Sequence, residues 1–202
     1  MTVYSKTKVK ICGLTNMEDV RWSIEAGADM LGFILVPSRR YVEPAQVSKM
    51  IQQVPDTIRT VGVFMNQPLE EVEAAIEIAN VDLVQLHGNE DPDFCQQIGM
   101  PVIKRITVTD DDSRESLIEK IKPYEAEAYL LDKGAGTGEM FDWQIARDIP
   151  YPLIIAGGLN PQNVKKVVTL LHPYAVDVSS GVEKELRKKD QMKIKTFIKE
   201  AQ

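Results

Sequence analysis

Several residue types are scarce in this 202-residue chain, and their scarcity excludes whole classes of protein. Its two cysteines, Cys12 and Cys95, are too few for a disulfide scaffold and lack metal-ligand spacing, which favours a reducing compartment. The two histidines stand in separate contexts and argue against a metal centre that needs several His and carboxylate ligands. Cys95 falls on a predicted helix, where we expect a small buried side chain.

Excess positive charge and long apolar runs are missing as well. The formal net charge of -6 disfavours a surface for nucleic acid, because binding to the phosphate backbone needs clustered Lys and Arg. No run approaches the ~20 apolar residues that cross a bilayer, and the amino end lacks the apolar stretch of a signal peptide. We therefore expect a cytoplasmic protein that binds neither nucleic acid nor membrane. The basic run KELRKKDQMK has interleaved acidic residues and predicts the solvated face of a final helix.

The chain does contain eight apolar runs that alternate with helical patterns. They read KVKIC, MLGFIL, RTVGVF, LVQLH, VIKRI, YLLD, LIIAG and AVDVS. The runs are continuously apolar, as expected of parallel strands that are covered on both faces. A length of about 25 residues per unit suits a strand, a helix and two short loops. We predict an α/β fold, a single-domain (β/α)8 TIM barrel of minimal length over residues 1–202, with an open doubly wound sheet as the alternative.

Three helices carry terminal signals. The first has Asn16 as its N-cap and Gly27 as its stop. Pro68 stands at the first turn of PLEEVEAAIEIAN, and Asn160 is the predicted cap of a helix that begins at Pro161.

In a barrel, the residues that follow the strands line one mouth, where the chemistry is found. Cys12 and Asp132 end strands one and six, so we predict a base and an acid that face each other across one pocket. A thiol acting as a base needs a nearby cation or helix start, for which Lys10 and Asn16 are available. The alternatives are a packed thiol at Cys12, and at Asp132 a helix cap or a partner for Lys133.

Other candidates follow the remaining strands. Glycine and serine turns after strands seven and eight predict a phosphate cradle of backbone N–H groups, or merely tight turns. Arg40 suits a substrate carboxylate, with Arg39 competing, and His87 suits either a structural hydrogen bond or a substrate contact. The GAGTG stretch after Asp132 suits a lid or a close backbone approach to a ligand.

Taken in order, the segments resemble the phosphoribosylanthranilate isomerase family. The resemblance rests on KICGLTN, GADMLGFILVPSRRYV, VGVFMN, VQLHG, LLD with GTGEMFDW, AGGLNPQNV and VDVSSGVE. It implies Cys12 as general base, Asp132 as general acid and Arg40 as the anchor of the anthranilate carboxylate. It further implies a phosphate site around Gly157, Gly158, Ser180 and Gly181, and substrate-facing positions for His87 and Asp177. Met140 replaces a lysine that is frequent in the family before FDW.

The implied activity is the Amadori rearrangement of N-(5-phosphoribosyl)anthranilate in tryptophan biosynthesis, without cofactor or metal. The alternatives are another sugar-phosphate barrel enzyme, of the epimerase or indole-glycerol-phosphate synthase type, and a barrel that binds a phosphorylated ligand without catalysis. We expect a small-molecule substrate as the partner, and a monomer with a homodimer as the alternative.

Overall fold

The computed structural model describes residues 6–134 and 139–202. Eight parallel strands form a closed barrel in chain order, with β1 paired to both β2 and β8. The strands are β1 Lys8–Cys12, β2 Met30–Ile34, β3 Arg59–Phe64, β4 Leu83–Leu86, β5 Val102–Thr107, β6 Ala128–Asp132, β7 Leu153–Ile155 and β8 Ala175–Val178. The barrel confirms the predicted fold class and excludes the open sheet.

Seven α-helices accompany the barrel within the described residues. They are α1 Met17–Ala26, α2 Pro44–Ile51, α3 Leu69–Ala79, α4 Pro92–Gln97, α5 Arg114–Ile121, α6 Val164–Leu171 and α7 Gln191–Ala201. The signals of α1 act as predicted: the Asn16 side chain accepts from the Asp19 N–H, and Gly27 ends the helix at φ 91°. Pro68 is the N-cap of α3, one residue before its first turn.

The sequence misplaces the start of α6. The helix begins at Val164 and not at Pro161, with Asn163 at its N-cap. Asn160 instead closes a turn: its carbonyl accepts from the N–H groups of Asn163 and Val164, and its side chain accepts from the Gln162 N–H. Asparagine side chains stabilise such turns as readily as helix caps, and the two choices look alike in sequence.

Two crossovers also differ from the expected pattern. After β6 the described residues form only a short 3-10 turn, Trp143–Ala146, in place of an α-helix. After β8 the chain forms a 3-10 turn, Ser180–Val182, and then an antiparallel hairpin of β9 Glu183–Glu185 and β10 Lys188–Lys189. The basic run was therefore wrongly predicted as a helix face, since most of it forms this hairpin.

Apolar side chains pack in two layers. One cluster lies between the strands and the helices, and a smaller one fills the barrel interior. The interior cluster contains Met30, Val61, Leu83, Ile103, Ala128, Leu130, Ile154, Ala156 and Ala175. Cys95 is buried in the outer layer, as expected. None of the helices in the described segments has the length and apolarity that a membrane crossing requires.

Candidate active site

Strand alternation directs the site residues into the barrel. Ala128 and Leu130 belong to the interior cluster, so Asp132, two residues further along β6, points to the same side. Ile103 and Ala175 also belong to the interior cluster. Arg105 lies two residues after Ile103 on β5, and Asp177 two residues after Ala175 on β8, so both point into the barrel. The carboxyl ends of all eight strands open at one end of the barrel, where these polar groups collect.

Cys12 ends β1 as a buried side chain beside Lys10. Both contact Gly32 of the neighbouring strand: a Cβ atom there would lie 2.8 Å from Cys12 Sγ and 3.1 Å from Lys10 Nζ. Gly32 therefore provides the space in which the thiol and the ammonium meet. The other candidate for a group that activates the thiol was the helix start at Asn16. Asn16 is the N-cap of α1, where its side chain accepts from the Asp19 N–H.

Lys10 is fully buried and donates a hydrogen bond of 2.8 Å to Asp177 on β8. Burial alone lowers the pKa of Lys10, but the charges of Asp177 and Cys12 outweigh it and raise that pKa. Burial raises the pKa of the Cys12 thiol, and the Lys10 ammonium opposes this rise. The lysine is thus a permanent cation next to a thiol that is otherwise difficult to ionise.

Asp132 ends β6 and is 6% exposed. Burial raises the pKa of its carboxyl, and the charge of Arg105 opposes that rise. The Gly134 N–H donates to Oδ1 over 3.4 Å. A Cβ atom on Gly157 would lie 2.8 Å from the same oxygen, so this glycine makes room for the acid. The environment favours a protonated carboxyl that can donate.

His87 follows β4 and faces Asp132, with 3.7 Å between Nε2 and Oδ2. Burial, together with the charge of Arg105, lowers the pKa of His87 to about 3, so the ring is neutral near pH 7. The Gln85 side-chain nitrogen lies 2.9 Å from Nδ1 and donates to it, which leaves the ring proton on Nε2. The ring therefore presents an N–H group to the acid.

Arg40, in the loop after β2, has its charge already paired. Its Nε donates to Glu183 Oε1 and its Nη2 to Glu183 Oε2, each over 2.7 Å. The arm of Arg40 crosses Gly13, where a Cβ atom would lie 2.7 Å from Arg40 Cδ.

The loops after β7 and β8 contact each other at the same end of the barrel. Gly157 and Gly158 both have positive φ, at 83° and 65°. A Cβ atom on Gly181 would lie 1.9 Å from the carbonyl oxygen of Leu159, so only glycine permits this approach of the two loops. Ser180 is exposed beside Gly181. The four predicted phosphate-site residues thus lie on two touching loops.

Sequence reasoning missed Arg105, Glu183 and Lys189. Arg105 is 7% exposed, and its Nε lies 4.0 Å from Asp132 Oδ2 without a hydrogen bond to any described residue. The signal for it was available, because a charged residue within the apolar run VIKRI must have a reason for burial. Lys189 is fully buried although it belongs to a charged run, which gave no such signal.

The remaining expectations concern a lid and a metal. Four of the five residues in the GAGTG stretch, 135–138, lie outside the described residues, so the lid stays a prediction. In residues 6–134 and 139–202, no group of three or more His, Cys, Asp or Glu is arranged to hold a metal ion.

Comparison with known proteins identifies the family. A model of the family described as N-(5'phosphoribosyl)anthranilate (PRA) isomerase matches residues 9–200. The N-(5'-phosphoribosyl)anthranilate isomerase of Pelobacter propionicus is 42% identical over 200 residues, which are 95% of this chain and 94% of its own. The crystal structure of phosphoribosyl anthranilate isomerase from Thermus thermophilus matches with a TM-score of 0.88 and 35% identity, over 96% of this chain and 98% of its own.

Two further crystal structures concern ligand and assembly. One is phosphoribosyl anthranilate isomerase in complex with reduced 1-(o-carboxyphenylamino)-1-deoxyribulose 5-phosphate, with a TM-score of 0.86, 38% identity and coverage of 96% and 98%. The other shows mutually generated monomers of the dimeric Thermotoga maritima enzyme, with a TM-score of 0.85, 39% identity and the same coverage. These matches confirm the resemblance found in the sequence, and the chain belongs to the N-(5'-phosphoribosyl)anthranilate isomerase family, whose members are isomerases of tryptophan biosynthesis.

Proposed function

We propose that this chain converts N-(5'-phosphoribosyl)anthranilate into 1-(2-carboxyphenylamino)-1-deoxyribulose 5-phosphate, with Asp132 as general acid and Cys12 as general base. The observation that carries these roles is the pair of buried groups at the carboxyl ends of β1 and β6, where Lys10 stands beside the thiol and burial raises the pKa of the carboxyl.

The first step needs an acid. Protonated Asp132 donates to the furanose ring oxygen, and the nitrogen lone pair expels that oxygen, which opens the ring to a protonated Schiff base. The pKa of Asp132, raised by burial, keeps the proton available for this transfer. The carboxylate left behind lies 4.0 Å from the Nε of Arg105, a donor with no partner among the described residues. Arg105 therefore stabilises the acid after it has lost its proton.

The second step needs a base. The Cys12 thiolate removes the proton from the adjacent sugar carbon, and the electron pair neutralises the Schiff base to give an enolamine. The enolamine then tautomerises to the ketone. Lys10 stabilises the thiolate, while Asp177 holds Lys10 in place through the 2.8 Å contact. In that tautomerisation the Cys12 thiol returns its proton to the carbon of the former Schiff base, and the enol hydroxyl gives up a proton that restores the Asp132 carboxyl. Acid and base thus return to their starting forms with no net proton consumed.

The substrate carries two further charged groups. We assign its phosphate to the loops around Gly157, Gly158, Ser180 and Gly181, where backbone N–H groups are the donors. We assign its aryl carboxylate to Arg40, because a guanidinium binds a carboxylate by two parallel hydrogen bonds. We assign His87 and Asp177 to positions beside the substrate between these two ends.

The test is incubation of the purified chain with N-(5'-phosphoribosyl)anthranilate while its fluorescence is followed. The proposal is supported if the fluorescence falls only when the protein is present and if chromatography separates the aminoketose, an isomer of the same mass, from the substrate. Binding of the substrate without turnover would indicate a barrel that binds the ligand but does not catalyse. An unchanged fluorescence signal would contradict the proposal.

For assembly, we propose a cytoplasmic monomer. The Thermotoga maritima relative is described as dimeric, so the alternative is a homodimer. Analytical sedimentation at micromolar concentration distinguishes a monomer, which has the chain mass of 22.7 kDa, from a dimer of twice that mass.

A further inference from the structure

The guanidinium of Arg40 has two edges that can bind a carboxylate, and Glu183 occupies one of them. Nε and Nη2 donate to the two oxygens of Glu183 over 2.7 Å each. Nη1 donates to no residue in the described parts of the chain. The edge formed by Nη1 and Nη2 therefore stays available for a second carboxylate in the same plane.

A second cation shares the same carboxylate. Lys189 Nζ lies 3.3 Å from Glu183 Oε1, the oxygen that also accepts from Arg40 Nε. Burial alone raises the pKa of Glu183, but the hydrogen bonds from Arg40 and the charge of Lys189 outweigh it and lower that pKa. The lowered pKa keeps Glu183 ionised against Arg40, while burial lowers the pKa of Lys189 and the charge of Glu183 opposes that fall.

Lys189 is itself fixed by the barrel. Its Nζ donates to the carbonyl oxygens of Cys12 over 2.7 Å and of Ser179 over 2.9 Å, and the side chain is fully buried. The lysine therefore ties the ends of β1 and β8 to Glu183. Through this lysine, β1, which carries Cys12, fixes the position of Glu183. Glu183 in turn fixes the position of Arg40.

We propose that Glu183 is a positioning residue that directs the free edge of Arg40 towards the substrate's aryl carboxylate, and so helps to select substrates that carry this group. The inference rests on the proposed function, in which Arg40 binds that carboxylate. Without the Glu183 carboxylate, Arg40 loses the pair of acceptor oxygens that orients its guanidinium, and Lys189 loses the charge that opposes the fall of its pKa. Because two carbonyl groups hold Lys189, Arg40 is the side chain that moves.

The test compares two ligands that differ only in the carboxyl group. They are reduced 1-(o-carboxyphenylamino)-1-deoxyribulose 5-phosphate and its phenylamino counterpart without that group, each titrated calorimetrically into the full chain. Glu183→Gln and Glu183→Ala are each expected to raise Kd for the carboxylated ligand about tenfold. Neither is expected to change Kd for the other ligand by more than about twofold.

A matched control is available on the same hairpin. Glu185 is 59% exposed and pairs with Lys188, so Glu185→Gln removes the same charge without touching Arg40. Its Kd values are expected to equal those of the wild type. Thermal melts monitor folding, and the isosteric Glu183→Gln remains informative if Glu183→Ala is unstable.

The outcomes separate this inference from the proposed function. An equal loss for both ligands, unchanged binding or tighter binding of the carboxylated ligand in Glu183→Gln would overturn the positioning role. If Arg40→Ala weakens only the carboxylated ligand while the Glu183 variants do not, Arg40 keeps its role and the inference alone fails. If the wild type binds neither ligand, the proposed function fails and the inference with it.

Discussion

His87 Nε2 lies 3.7 Å from Asp132 Oδ2, and burial shifts both side chains towards their uncharged forms. The separation is too long for a hydrogen bond, and a neutral ring supplies no cation that would hold Asp132 as a carboxylate. On the side of His87 the acid therefore faces an uncharged dipole, while the cation near it is Arg105, whose Nε lies 4.0 Å from Oδ2. Burial favours the protonated form of Asp132, and the charge of Arg105 opposes that effect.

The neutrality of His87 makes stability depend on pH. Its pKa is about 3 in the folded chain, against about 6.5 when unfolded. Between these values unfolding takes up a proton, so His87 lowers stability as pH falls below about 6.5, by about 2.7 kcal/mol at pH 4.5. His87→Gln is expected to lose less Tm between pH 7 and pH 4.5 than the wild type. His172→Asn, at the exposed second histidine, is expected to behave as the wild type; an equal pH effect in both variants would contradict the burial of a neutral ring.

Removal of the acid is expected to affect turnover and not folding. Asp132→Asn cannot donate its proton to the ring oxygen, so kcat should fall at least about a hundredfold. Steady-state fluorescence kinetics and a thermal melt measure the two effects. Asp56→Asn is the matched control, because Asp56 is exposed in the loop before β3. Turnover near the wild-type rate in Asp132→Asn would remove Asp132 from the mechanism.

Cys12 and Arg40 are expected to differ in which kinetic constant they affect. Cys12→Ala lacks the base and should lower kcat at least about a hundredfold, while Cys95→Ala, at the other buried thiol, should not. Arg40→Ala loses a binding contact and should mainly raise KM. A fall in kcat alone in Arg40→Ala would show that the guanidinium acts in the chemical step and not in binding.

Lys10 is expected to lower the pKa of the Cys12 thiol from the value that burial alone would give. Lys10→Met removes this cation, so the pKa of the thiol should rise. The rate of iodoacetamide alkylation against pH, with each cysteine peptide quantified by mass spectrometry, measures this pKa. Cys95 is the internal reference, since burial raises the pKa of its thiol to about 11. An unchanged alkylation profile at Cys12 would contradict the role of Lys10.

Gly32 and Gly62 are expected to separate activity from stability. Gly32→Ala inserts a methyl group 2.8 Å from Cys12 Sγ, so kcat should fall about tenfold or more as the thiol is displaced. Gly62→Ala meets only apolar side chains, with Phe64 Cε2 at 3.0 Å, and should cost about 1–3 kcal/mol while kcat is retained. Enzyme kinetics and denaturant unfolding of both variants provide the comparison. The same loss of kcat in both would show that Gly32 acts on overall packing and not on the thiol.

The strands were predictable because burial on both faces leaves a continuous apolar run in the sequence. LLD ends β6 at Asp132, as the sequence predicted, and KVKIC coincides with β1. Local signals were reliable where one interaction dominates, as in the cap at Asn16. They failed at Asn160, where a turn and a helix cap compete for the same side chain.

Pairs formed between distant segments were not predictable. Arg40 and Glu183 are 143 positions apart, and neither residue indicates the other in the sequence. Lys189 belongs to a run that looks solvated, yet its ammonium is buried against carbonyl groups at the ends of β1 and β8. Its burial depends on three segments that meet only in the closed barrel.

The sequence by itself determined the order of strands, the inward direction of Cys12 and Asp132, and the family, because apolar periodicity and short motifs are local properties of the chain. The tertiary structure alone decided which charges surround them. Lys10 lies by the thiol, Arg105 by the acid, and Glu183 by Arg40. Electrostatic interactions depend on distance and burial, and both are fixed only when the barrel closes.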